Sequence, residues 1–434
     1  MSGHKALTIG LLGAGTVGTG VLKLLQAHAD QIERRVGAPV RVGPVMVRDI
    51  SRNRGIDAQW TTNPKDIIAN PAVDIVVEVM GGVEPARTWL LEALNAGQSV
   101  VTANKELLAK HGRELYAAAA ANHVRLEYEA AVAGAIPIIR PMRDSLSGDR
   151  ITKVMGILNG TTNFILTKMA EDGADFGTVL AEAQALGYAE ADPSADVDGF
   201  DAAAKTAILA SIAFDAVITL EDVEVTGITA ITADQIALAS KMGYVIKLLG
   251  FAIREQLATG EETISVGVSP AWVGHTNPLA GVRGANNAVL IEADGAGQLM
   301  FYGPGAGSLP TGSAVMGDVV TAARGRLAGE RAGSVATTEG IKPVPGAGQS
   351  EWAVLLEVED RAGVLAEITS VLGRNQVSMK SVWQEGHASG IEGEGVSLLI
   401  VTHEADSQLV KTTVEELLGL PGVQTLISLT PVID

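Results

Sequence analysis

The sequence predicts an α/β protein: a doubly wound parallel sheet comes first, then a second α+β domain and a small C-terminal module. Two observations lead to this prediction. Over residues 1–130, continuous apolar strands alternate with helical stretches, as they do when helices cover both faces of a parallel sheet. The last part of the chain instead shows the order βαββαβ within about 80 residues, which is typical of a ferredoxin-like module.

The first domain, residues 1–130, is expected to contain four almost wholly apolar strands separated by helices. Apolar runs of four to eight residues between helical stretches are typical of strands buried on both faces. The predicted strands are Leu7–Leu12, Val40–Val47, Asp74–Val79 and Ser99–Thr102, and the predicted helices are Thr16–Arg35, Pro85–Asn95 and Lys105–Asn122.

Residues 131–311 mix strand-like and helical runs, and we expect an α+β substrate domain that covers the first. A further helix over 312–327 follows a Pro-Thr-Gly turn and is expected to fold back and complete the first domain. The predicted strands are Arg150–Leu158, Thr263–Val268 and Asn287–Ala293, and the predicted helices are Phe176–Leu186, Asp201–Phe214 and Thr232–Leu249.

Residues 328–350 are rich in Gly, Ala, Ser, Thr and Pro, a composition that predicts a linker. Residues 351–434 then form the small module. Its predicted strands are Trp352–Val358, Val377–Trp383, Glu394–Thr402 and Val423–Leu429, and its helices are Gly363–Asn375 and Ser407–Leu418.

The composition excludes several classes of function. The 434 residues include 32 basic and 50 acidic side chains, for a net charge of −18, and no cysteine. The chain therefore has no disulfide, thiolate zinc site, iron–sulfur cluster or cysteine nucleophile. The acidic balance argues against nucleic acid as a partner, and the apolar stretch Thr206–Phe214 is too short to cross a bilayer. We expect a cytoplasmic protein that acts on a small molecule, with no nucleic-acid or membrane partner.

A glycine-rich turn joins the first predicted strand to the first helix. Gly13, Gly15 and Gly18 form a G-x-G-x-x-G motif, with Thr16 and Val17 opening the helix. The first glycine permits a tight turn, the second lets a pyrophosphate approach the backbone, and the third packs the helix on the strand. Free N–H groups at the helix start favour the phosphates, so the motif predicts dinucleotide binding in a Rossmann-type domain.

The residues after the second strand bear on which dinucleotide binds. An acidic residue there binds the ribose hydroxyls of NAD, whereas basic residues accommodate the 2′-phosphate of NADP. In this chain Arg48, Arg52 and Arg54 surround Asp49. The basic cluster favours NADP(H), Asp49 leaves NAD(H) possible, and a solvated loop without a ligand is the third interpretation.

Proton transfer calls for a group other than tyrosine or zinc-bound water. None of the five tyrosines has a lysine four residues later, and the seven histidines are scattered. Asp201 and Lys205 lie four residues apart at the start of an apolar helix, so they share a face where the ammonium group is positioned for proton transfer. The alternatives are an ordinary helix ion pair, or a divalent-metal site in the acidic segment 190–201, which Pro193 and the spacing disfavour.

Lys105 directly follows the fourth strand of the first domain. The carboxyl ends of strands in such a sheet face the ligand crevice, so Lys105 is placed to reach a substrate or the nicotinamide ribose. A surface lysine at a helix start is the alternative.

Together these residues resemble the homoserine dehydrogenase family, and the likeness covers essentially the whole chain. Its motifs are the glycine fingerprint, Val101–Lys105, Asn159–Asn163 and Gly187–Asp196 through Lys205. The resemblance implies interconversion of L-homoserine and L-aspartate 4-semialdehyde with NAD(P)(H), on the route to threonine, isoleucine and methionine. Because the fingerprint begins almost at the first residue, we expect the monofunctional form of the enzyme.

The resemblance also implies roles for individual residues. Lys205 matches the catalytic proton donor and acceptor, and Glu190 and Asp201 match the carboxylates that bind homoserine. Lys105 matches a lysine near the cofactor that also faces the substrate.

The resemblance further implies backbone contacts from Gly187 and Gly303 to the nicotinamide end, and a sodium or potassium ion held mostly by backbone carbonyls beside the dinucleotide domain. A hinge between domains is a second interpretation of that segment. The residues that match the cation site are Glu129, Val132, Gly134 and Ile136.

The C-terminal module, with the loop Asp360–Leu365 after its first strand, resembles an ACT domain. Gly363 would allow a ligand close to the backbone, so the resemblance implies feedback inhibition by L-threonine, with a purely oligomerising module as the alternative. We also expect a homodimer or homotetramer. Two competing functions are another Rossmann dehydrogenase acting on a small amino or oxo acid, and an amino-acid sensor without turnover, which the Asp201–Lys205 pair disfavours.

Overall fold

The structure is a computed structural model of the chain, and it describes residues 5–52, 54–256, 260–330, 341–385 and 395–434. The predicted doubly wound sheet and the C-terminal βαββαβ module are confirmed. The chain forms two compact units. The first comprises residues 1–160, 201–222 and 285–341, and the second comprises residues 161–200, 223–284 and 342–434.

The elements follow in chain order. Up to residue 222 they are β1 (Leu7–Leu12), α1 (Thr16–Val36), β2 (Val40–Met46), β3 (Gln59–Thr61), β4 (Ile75–Glu78), α2 (Ala86–Asn95), β5 (Ser99–Thr102), α3 (Lys105–Ala121), β6 (Leu126–Glu127), β7 (Ile151–Ile157), α4 (Gly160–Asp172), α5 (Phe176–Ala185), α6 (Ser194–Val197) and α7 (Phe200–Phe214). Beyond it they are β8 (Glu224–Val225), α8 (Ala233–Lys241), β9 (Tyr244–Gln256), β10 (Glu262–Gly274), β11 (Asn286–Ala293), β12 (Gly297–Pro304), α9 (Ser308–Ala328), β13 (Lys342–Pro345), β14 (Gln349–Glu359), α10 (Val364–Arg374), β15 (Met379–Glu385), β16 (Gly395–Thr402), β17 (Ala405–Asp406), α11 (Ser407–Leu418) and β18 (Val423–Ile433).

The first unit is built on a six-stranded parallel sheet in the order β3-β2-β1-β4-β5-β6. The strand order reverses beside β1, and in such sheets the ligand crevice opens at the carboxyl ends of the strands next to that reversal. Every residue of β4 and of β5 is buried, including the polar Glu78, Ser99 and Thr102 at their ends, which explains why consecutive residues within each strand are apolar. The same unit holds a small antiparallel sheet in the order β7-β11-β12.

Helix α9 returns to the first sheet and packs along α1. The contact is close because glycines line it: a Cβ on Gly20 would overlap the carbonyl group of Ser308, and one on Gly312 would lie 3.0 Å from the carbonyl carbon of Gly20. The Ser308 hydroxyl donates a hydrogen bond to the Thr16 carbonyl at 2.6 Å. Helix α9 therefore packs directly against α1, the helix that follows the glycine turn.

The second unit is centred on the long antiparallel hairpin of β9 and β10. Strand β10 also pairs in parallel with β8, β13 and β18. In the C-terminal module the strand order is β18-β14-β16-β15 with antiparallel pairing throughout, which is the ferredoxin-like arrangement.

The prediction of a helix over Thr232–Leu249 is wrong in its second half. Helix α8 ends at Lys241, Gly243 adopts a left-handed φ of +89°, and the chain from Tyr244 onward is strand β9. A left-handed glycine ends a helix by turning the chain out of it. The apolar run that follows then gains a complete antiparallel partner in β10, which a local pattern does not reveal.

The predicted linker is only partly described, because residues 331–340 lie outside the described residues. Its later part is structured: Lys342–Pro345 forms strand β13, which pairs in parallel with Thr263–Val266 of β10. Separately, no helix in the described part of the chain is long and apolar enough to cross a membrane.

Candidate active site

The turn after β1 has the geometry that a phosphate-binding glycine motif requires. Gly13 adopts a φ of +101°, and its N–H donates to the Met46 carbonyl at 3.0 Å, which fixes the turn against β2. A Cβ on Gly18 would overlap the carbonyl oxygen of Gly13, whereas the space beside Gly15 is open. Each glycine therefore serves a different steric need, and α1 begins at Thr16 with its amino end facing this turn.

A cleft of about 770 Å³ opens over this turn in the first unit. Its volume lies in the range of small-molecule and cofactor sites, and small residues leave its floor open. The residues around it fit a dinucleotide, with a glycine turn on one side and a basic loop on the other. They include Gly13, Gly15, Arg48, Asp49, Arg52, Arg54, Met80, Gly81, Gly82 and Trp89.

The basic loop at the cleft holds its one carboxylate in a turn. Asp49 accepts hydrogen bonds from the Ser51 N–H at 2.8 Å and the Ser51 hydroxyl at 2.6 Å. These bonds, with smaller help from the nearby arginines, hold the pKa of the Asp49 carboxyl below its usual range. Arg54 donates to the carbonyls of Asp49 and Arg52 at 3.0 and 2.9 Å, so it braces the loop, while Arg48 is exposed at the cleft.

Glu78, at the end of β4, is a buried carboxylate that the sequence analysis missed. One of its oxygens accepts from the N–H groups of Met80 and Gly81 at 2.8 and 3.0 Å, and the other accepts from the Thr102 hydroxyl at 2.6 Å. Glu78 thus holds the cleft wall to the end of β5. Its signal in the sequence was an acidic residue within an otherwise apolar strand.

Lys105 is placed by the cap of its own helix. The Asn104 side chain accepts from the Leu107 N–H at 3.1 Å and donates to the Gly82 carbonyl at 2.7 Å. The cap therefore ties the start of α3 to the glycine wall of the cleft. The Lys105 ammonium then reaches the Asp201 carboxylate at 2.7 Å, with 42% of its side chain exposed.

Asp201 lies between two lysines. One oxygen accepts from Lys105, and the other accepts from Lys205 at 2.6 Å and from the Asn159 amide at 2.8 Å. Burial alone would raise the pKa of the Asp201 carboxyl, but the charges of Lys205 and Lys105 outweigh it and hold that pKa well below its usual range. The carboxylate is therefore a fixed anion.

Lys205 is held at two points. Besides Asp201, its ammonium donates to the Leu158 carbonyl at 2.7 Å, at the end of β7, and its side chain is only 11% exposed. The Asn287 amide donates to the same carbonyl at 3.0 Å. The buried Asn287 carbonyl oxygen has no hydrogen-bond partner among the described residues, so an acceptor is left over beside this cluster. The structure thus brings together Lys105, Asp201 and Lys205.

The loop matched to the cation site is buried and tightly turned. Ala133 and Gly134 adopt left-handed φ values of +54° and +59°, and the Gly305 carbonyl leaves no room for a Cβ on Gly134. Val132 is fully buried. Gly303 flanks the loop, since a Cβ there would lie 3.4 Å from the Ile136 side chain.

Glu129 organises the start of this loop. Its carboxylate accepts from three consecutive backbone N–H groups, those of residues 138–140, at 2.5 to 3.0 Å, and from the Arg140 guanidinium at 3.1 Å. Asp318 accepts from the Glu129 N–H at 2.8 Å and from Arg140 at 3.0 Å. Burial and then the charge of Glu127 raise the pKa of the Asp318 carboxyl well above its usual range, against the pull of Arg140. Two buried carboxyl groups thus share one arginine.

Gly187 and Glu190 belong to the second unit. Gly187 adopts a φ of +76° with open space beside its Cα. Glu190 is exposed, and its backbone carbonyl accepts from the Gln184 amide at 3.0 Å. The roles of both residues as ligands stay predictions.

Lys247, on β9, is a second residue that the sequence analysis missed, since it fell inside the misassigned helix. Only 4% of it is exposed, and its ammonium donates to the Asn163 side-chain oxygen at 2.9 Å and the Val282 carbonyl at 2.5 Å. Asn163 in turn donates to the Gly284 carbonyl at 2.9 Å. Burial, and secondarily the charge of Arg283, lower the pKa of Lys247 to about 8.

The acidic segment 190–201 has no divalent-metal geometry. Among the described residues, no group of three or more histidine, aspartate or glutamate side chains is arranged to hold a metal ion.

Three parts of the chain match known protein families. Residues 13–129 match the family described as "Homoserine dehydrogenase, NAD binding domain", residues 137–320 match "Homoserine dehydrogenase", and residues 352–421 match "ACT domain". The homoserine dehydrogenase of Mycobacterium tuberculosis H37Rv is 46% identical over 424 residues, which are 97% of this chain and 96% of that protein.

Solved structures give the same result. A homoserine dehydrogenase from Thiobacillus denitrificans has a TM-score of 0.93 to this chain at 39% identity, and each chain is covered over 100% of its length. A hyperthermophilic archaeal homoserine dehydrogenase in complex with NADPH has a TM-score of 0.62 at 27% identity, covering 73% of this chain and 98% of that one. This chain, with its dinucleotide-binding, catalytic and ACT domains, belongs to the homoserine dehydrogenase family.

Proposed function

We propose that the protein interconverts L-homoserine and L-aspartate 4-semialdehyde with Lys205 as the proton donor and acceptor. The observation that carries this proposal is the cluster of Lys105, Asp201 and Lys205, in which a fixed carboxylate orients two ammonium groups. A bound nicotinamide dinucleotide supplies the hydride donor or acceptor. The remaining task, which falls to the protein, is to move one proton at the substrate oxygen and to hold the substrate still.

In the reductive direction the carbonyl carbon gains a hydride and the Lys205 ammonium gives its proton to the carbonyl oxygen, which becomes the hydroxyl of homoserine. In the oxidative direction neutral Lys205 takes the hydroxyl proton as the carbon loses its hydride. The low exposure of Lys205 and its two acceptors limit where its ammonium can lie, which supports a fixed line of transfer.

The other substrate contacts follow from charge. Homoserine is a zwitterion, so it needs an anion for its ammonium and a cation for its carboxylate. We assign the ammonium contact to Glu190, which is exposed and has no structural task for its carboxylate among the described contacts. Asp201 fixes Lys205 and helps to bind the substrate, and Lys105, which is the more exposed lysine, faces both substrate and cofactor.

NADP(H) is the preferred cofactor in this proposal, with NAD(H) still accepted. The Asp49 carboxylate already serves the loop turn through Ser51, which reduces its availability to ribose hydroxyls. Arg48 remains exposed at the same cleft, where a 2′-phosphate would find its charge. The archaeal relative in complex with NADPH is consistent with this preference.

A sodium or potassium ion in the loop 129–136 is also part of the proposal. The Glu129 carboxylate is already occupied by backbone N–H groups and Arg140, so the residues fit a cation through backbone carbonyls of Glu129, Val132, Gly134 and Ile136. Activity should fall when choline replaces sodium and potassium at constant ionic strength, and an unchanged rate would remove the cation from the proposal.

The ACT domain is proposed to bind L-threonine and inhibit the enzyme. Gly363 opens α10 at a φ of +98° with free space beside its Cα, so a ligand can approach the backbone at the helix start. Calorimetry of the whole protein with threonine tests this, and the absence of binding heat would leave an oligomerising module. Light scattering of the same sample distinguishes the two expected assemblies, a homodimer and a homotetramer.

The central test is the absorbance of reduced nicotinamide in a mixture of enzyme, homoserine and NADP or NAD. Wild-type protein should turn over, and Lys205→Met should lose about 10²- to 10⁴-fold in kcat, the usual contribution of a general acid–base. Lys168→Met is the matched control, because Lys168 forms the same i,i+4 pair with Asp172 at the surface. No turnover of homoserine with either cofactor by the wild type would sink the proposal.

Because the base must be neutral, homoserine oxidation should accelerate as the pH rises from about 7 to about 10. A flat profile with chemistry rate-limiting would argue against Lys205 as the base.

A further inference from the structure

A two-residue strand, β8, connects two parts of the second unit. Glu224 and Val225 pair in parallel with Gly267 and Val268 of β10, and the Thr226 N–H donates to the Val268 carbonyl at 2.7 Å. So short a strand has little stability of its own, and its position depends on what holds its two ends.

On one side the ACT domain holds β8 through an ion pair. The Lys411 ammonium, on α11, reaches both oxygens of Glu224 at 2.6 and 2.8 Å. The two side chains are 31% and 37% exposed, so the pair is partly desolvated. The Gly346 backbone lies close to the same carboxylate, since a Cβ on Gly346 would lie 2.9 Å from a Glu224 oxygen.

On the other side the same stretch packs against the acidic segment. The Ile228 N–H donates to the Val197 carbonyl at 2.8 Å. Gly227 leaves no gap, because a Cβ on it would lie 2.5 Å from the Cα of Asp198. A Cβ on Gly199 would lie 3.1 Å from the Val225 side chain. Residues 197–199 therefore rest directly on residues 225–228.

The segment packed on β8 is the one that carries Glu190. Between Glu190 and Val197 the chain is tightened by Asp192, which accepts from the Ser194 hydroxyl at 2.7 Å, and by the short helix α6. A shift of β8 would therefore be passed along a compact segment, and Glu190 lies where that segment joins α5, with its carbonyl bonded to the Gln184 amide.

We propose that Lys411, in the ACT domain, is a positioning residue for homoserine binding: its ion pair with Glu224 fixes β8, and β8 fixes the segment that presents Glu190. The ACT domain would thus set the affinity for the substrate through a direct contact with the catalytic part of its own chain. This inference rests on the proposed role of Glu190.

The test compares Lys411→Met and Glu224→Gln with the wild type in steady-state kinetics. Each variant should raise KM for homoserine about threefold, the scale of a partly exposed ion pair, and leave kcat and KM for NADP within error. The double variant Glu224→Lys with Lys411→Glu restores the pair in reverse and should restore KM. Hydrogen exchange should be faster in Lys411→Met over residues 224–228 and 194–199.

Lys380→Met is the matched control, because Lys380 pairs with Glu351 and Asp434 within the same domain. It should change neither KM nor exchange at β8. If Lys411→Met behaves like Lys380→Met, or if the reversed pair fails to restore KM, the inference is overturned. A wild-type protein that does not turn over homoserine would instead refute the proposed function, and the exchange measurement would still report on the link.

Discussion

Replacing Asp201 by asparagine should reduce both catalytic rate and stability, because that carboxylate is the shared anion of the candidate site. An asparagine has one oxygen where the aspartate has two. With its amide on the side of Lys205 and Asn159, donors face donors; with its amide on the side of Lys105, Lys205 keeps only a neutral acceptor in place of the carboxylate. Lys105 can turn toward water because 42% of its side chain is exposed, but Lys205, at 11%, cannot.

The size of the expected stability loss follows from this difference in exposure between Lys105 and Lys205. Breaking a fully buried ion pair costs about 3–5 kcal/mol, and here one lysine can escape, so we expect a loss of about 2 kcal/mol in the free energy of unfolding. A charged hydrogen bond of about 1.5–3 kcal/mol that no longer orients Lys205 corresponds to a loss of roughly 10- to 100-fold in kcat/KM for homoserine.

Steady-state kinetics with homoserine and urea unfolding measure the two effects. The matched control is Asp172→Asn, which removes a more exposed aspartate–lysine pair of the same spacing, with 48% of the aspartate and 28% of the lysine side chain exposed. It should change stability by less than about 0.5 kcal/mol with no effect on rate. If the Asp201 variant retained wild-type kcat/KM, the cluster could not be the machinery that orients Lys205. If it lost activity but no stability, the account of a buried, shared carboxylate would be wrong.

Two further predictions concern other parts of the molecule. The unfolded chain keeps a proton on Lys247 up to about pH 10.5, whereas the folded chain releases it at about pH 8. The free energy of unfolding of the wild type, measured relative to Lys247→Met, should therefore rise across that pH window by up to about 3 kcal/mol. Urea-unfolding profiles that run parallel for the two proteins across this window would contradict the burial of a charged lysine. Arg48→Ala should raise KM for NADP about tenfold and leave KM for NAD nearly unchanged. The control is Arg41→Ala, since Arg41 is an exposed arginine on the neighbouring strand β2. Equal effects on the KM values of both cofactors would show that Arg48 does not recognise the 2′-phosphate.

The local sequence pattern was sufficient to predict a strand or helix wherever the burial of that element is uniform along its length. β1, β4 and β5 are buried on both faces, so their apolar runs already predict them, and the glycine turn after β1 has one conformation that suits its spacing. The same reasoning failed over Thr232–Leu249, where an apolar run suits a buried helix and a buried strand equally. Only the pairing of β9 with β10 distinguishes the two.

The sequence also missed residues whose importance depends on distant partners. Glu78 and Lys247 read as isolated charges in apolar runs, yet each bonds groups from segments far along the chain: the Thr102 hydroxyl for Glu78, and Asn163 and the Val282 carbonyl for Lys247. Nothing in their local neighbourhood predicts those partners, because the partners are brought to them by folding.

By itself the sequence determined the alternation of strands and helices in the first domain, the dinucleotide motif, and the pairing of Asp201 with Lys205, because each depends on residues close together in the chain. Only the tertiary structure decided that Lys105 joins that pair, that the returning helix α9 packs on α1 in particular, and that Lys411 reaches Glu224. The residues in these three contacts are 96, 292 and 187 positions apart, respectively. Their free energy comes from desolvated charge and close packing, which exist only once the chain has folded.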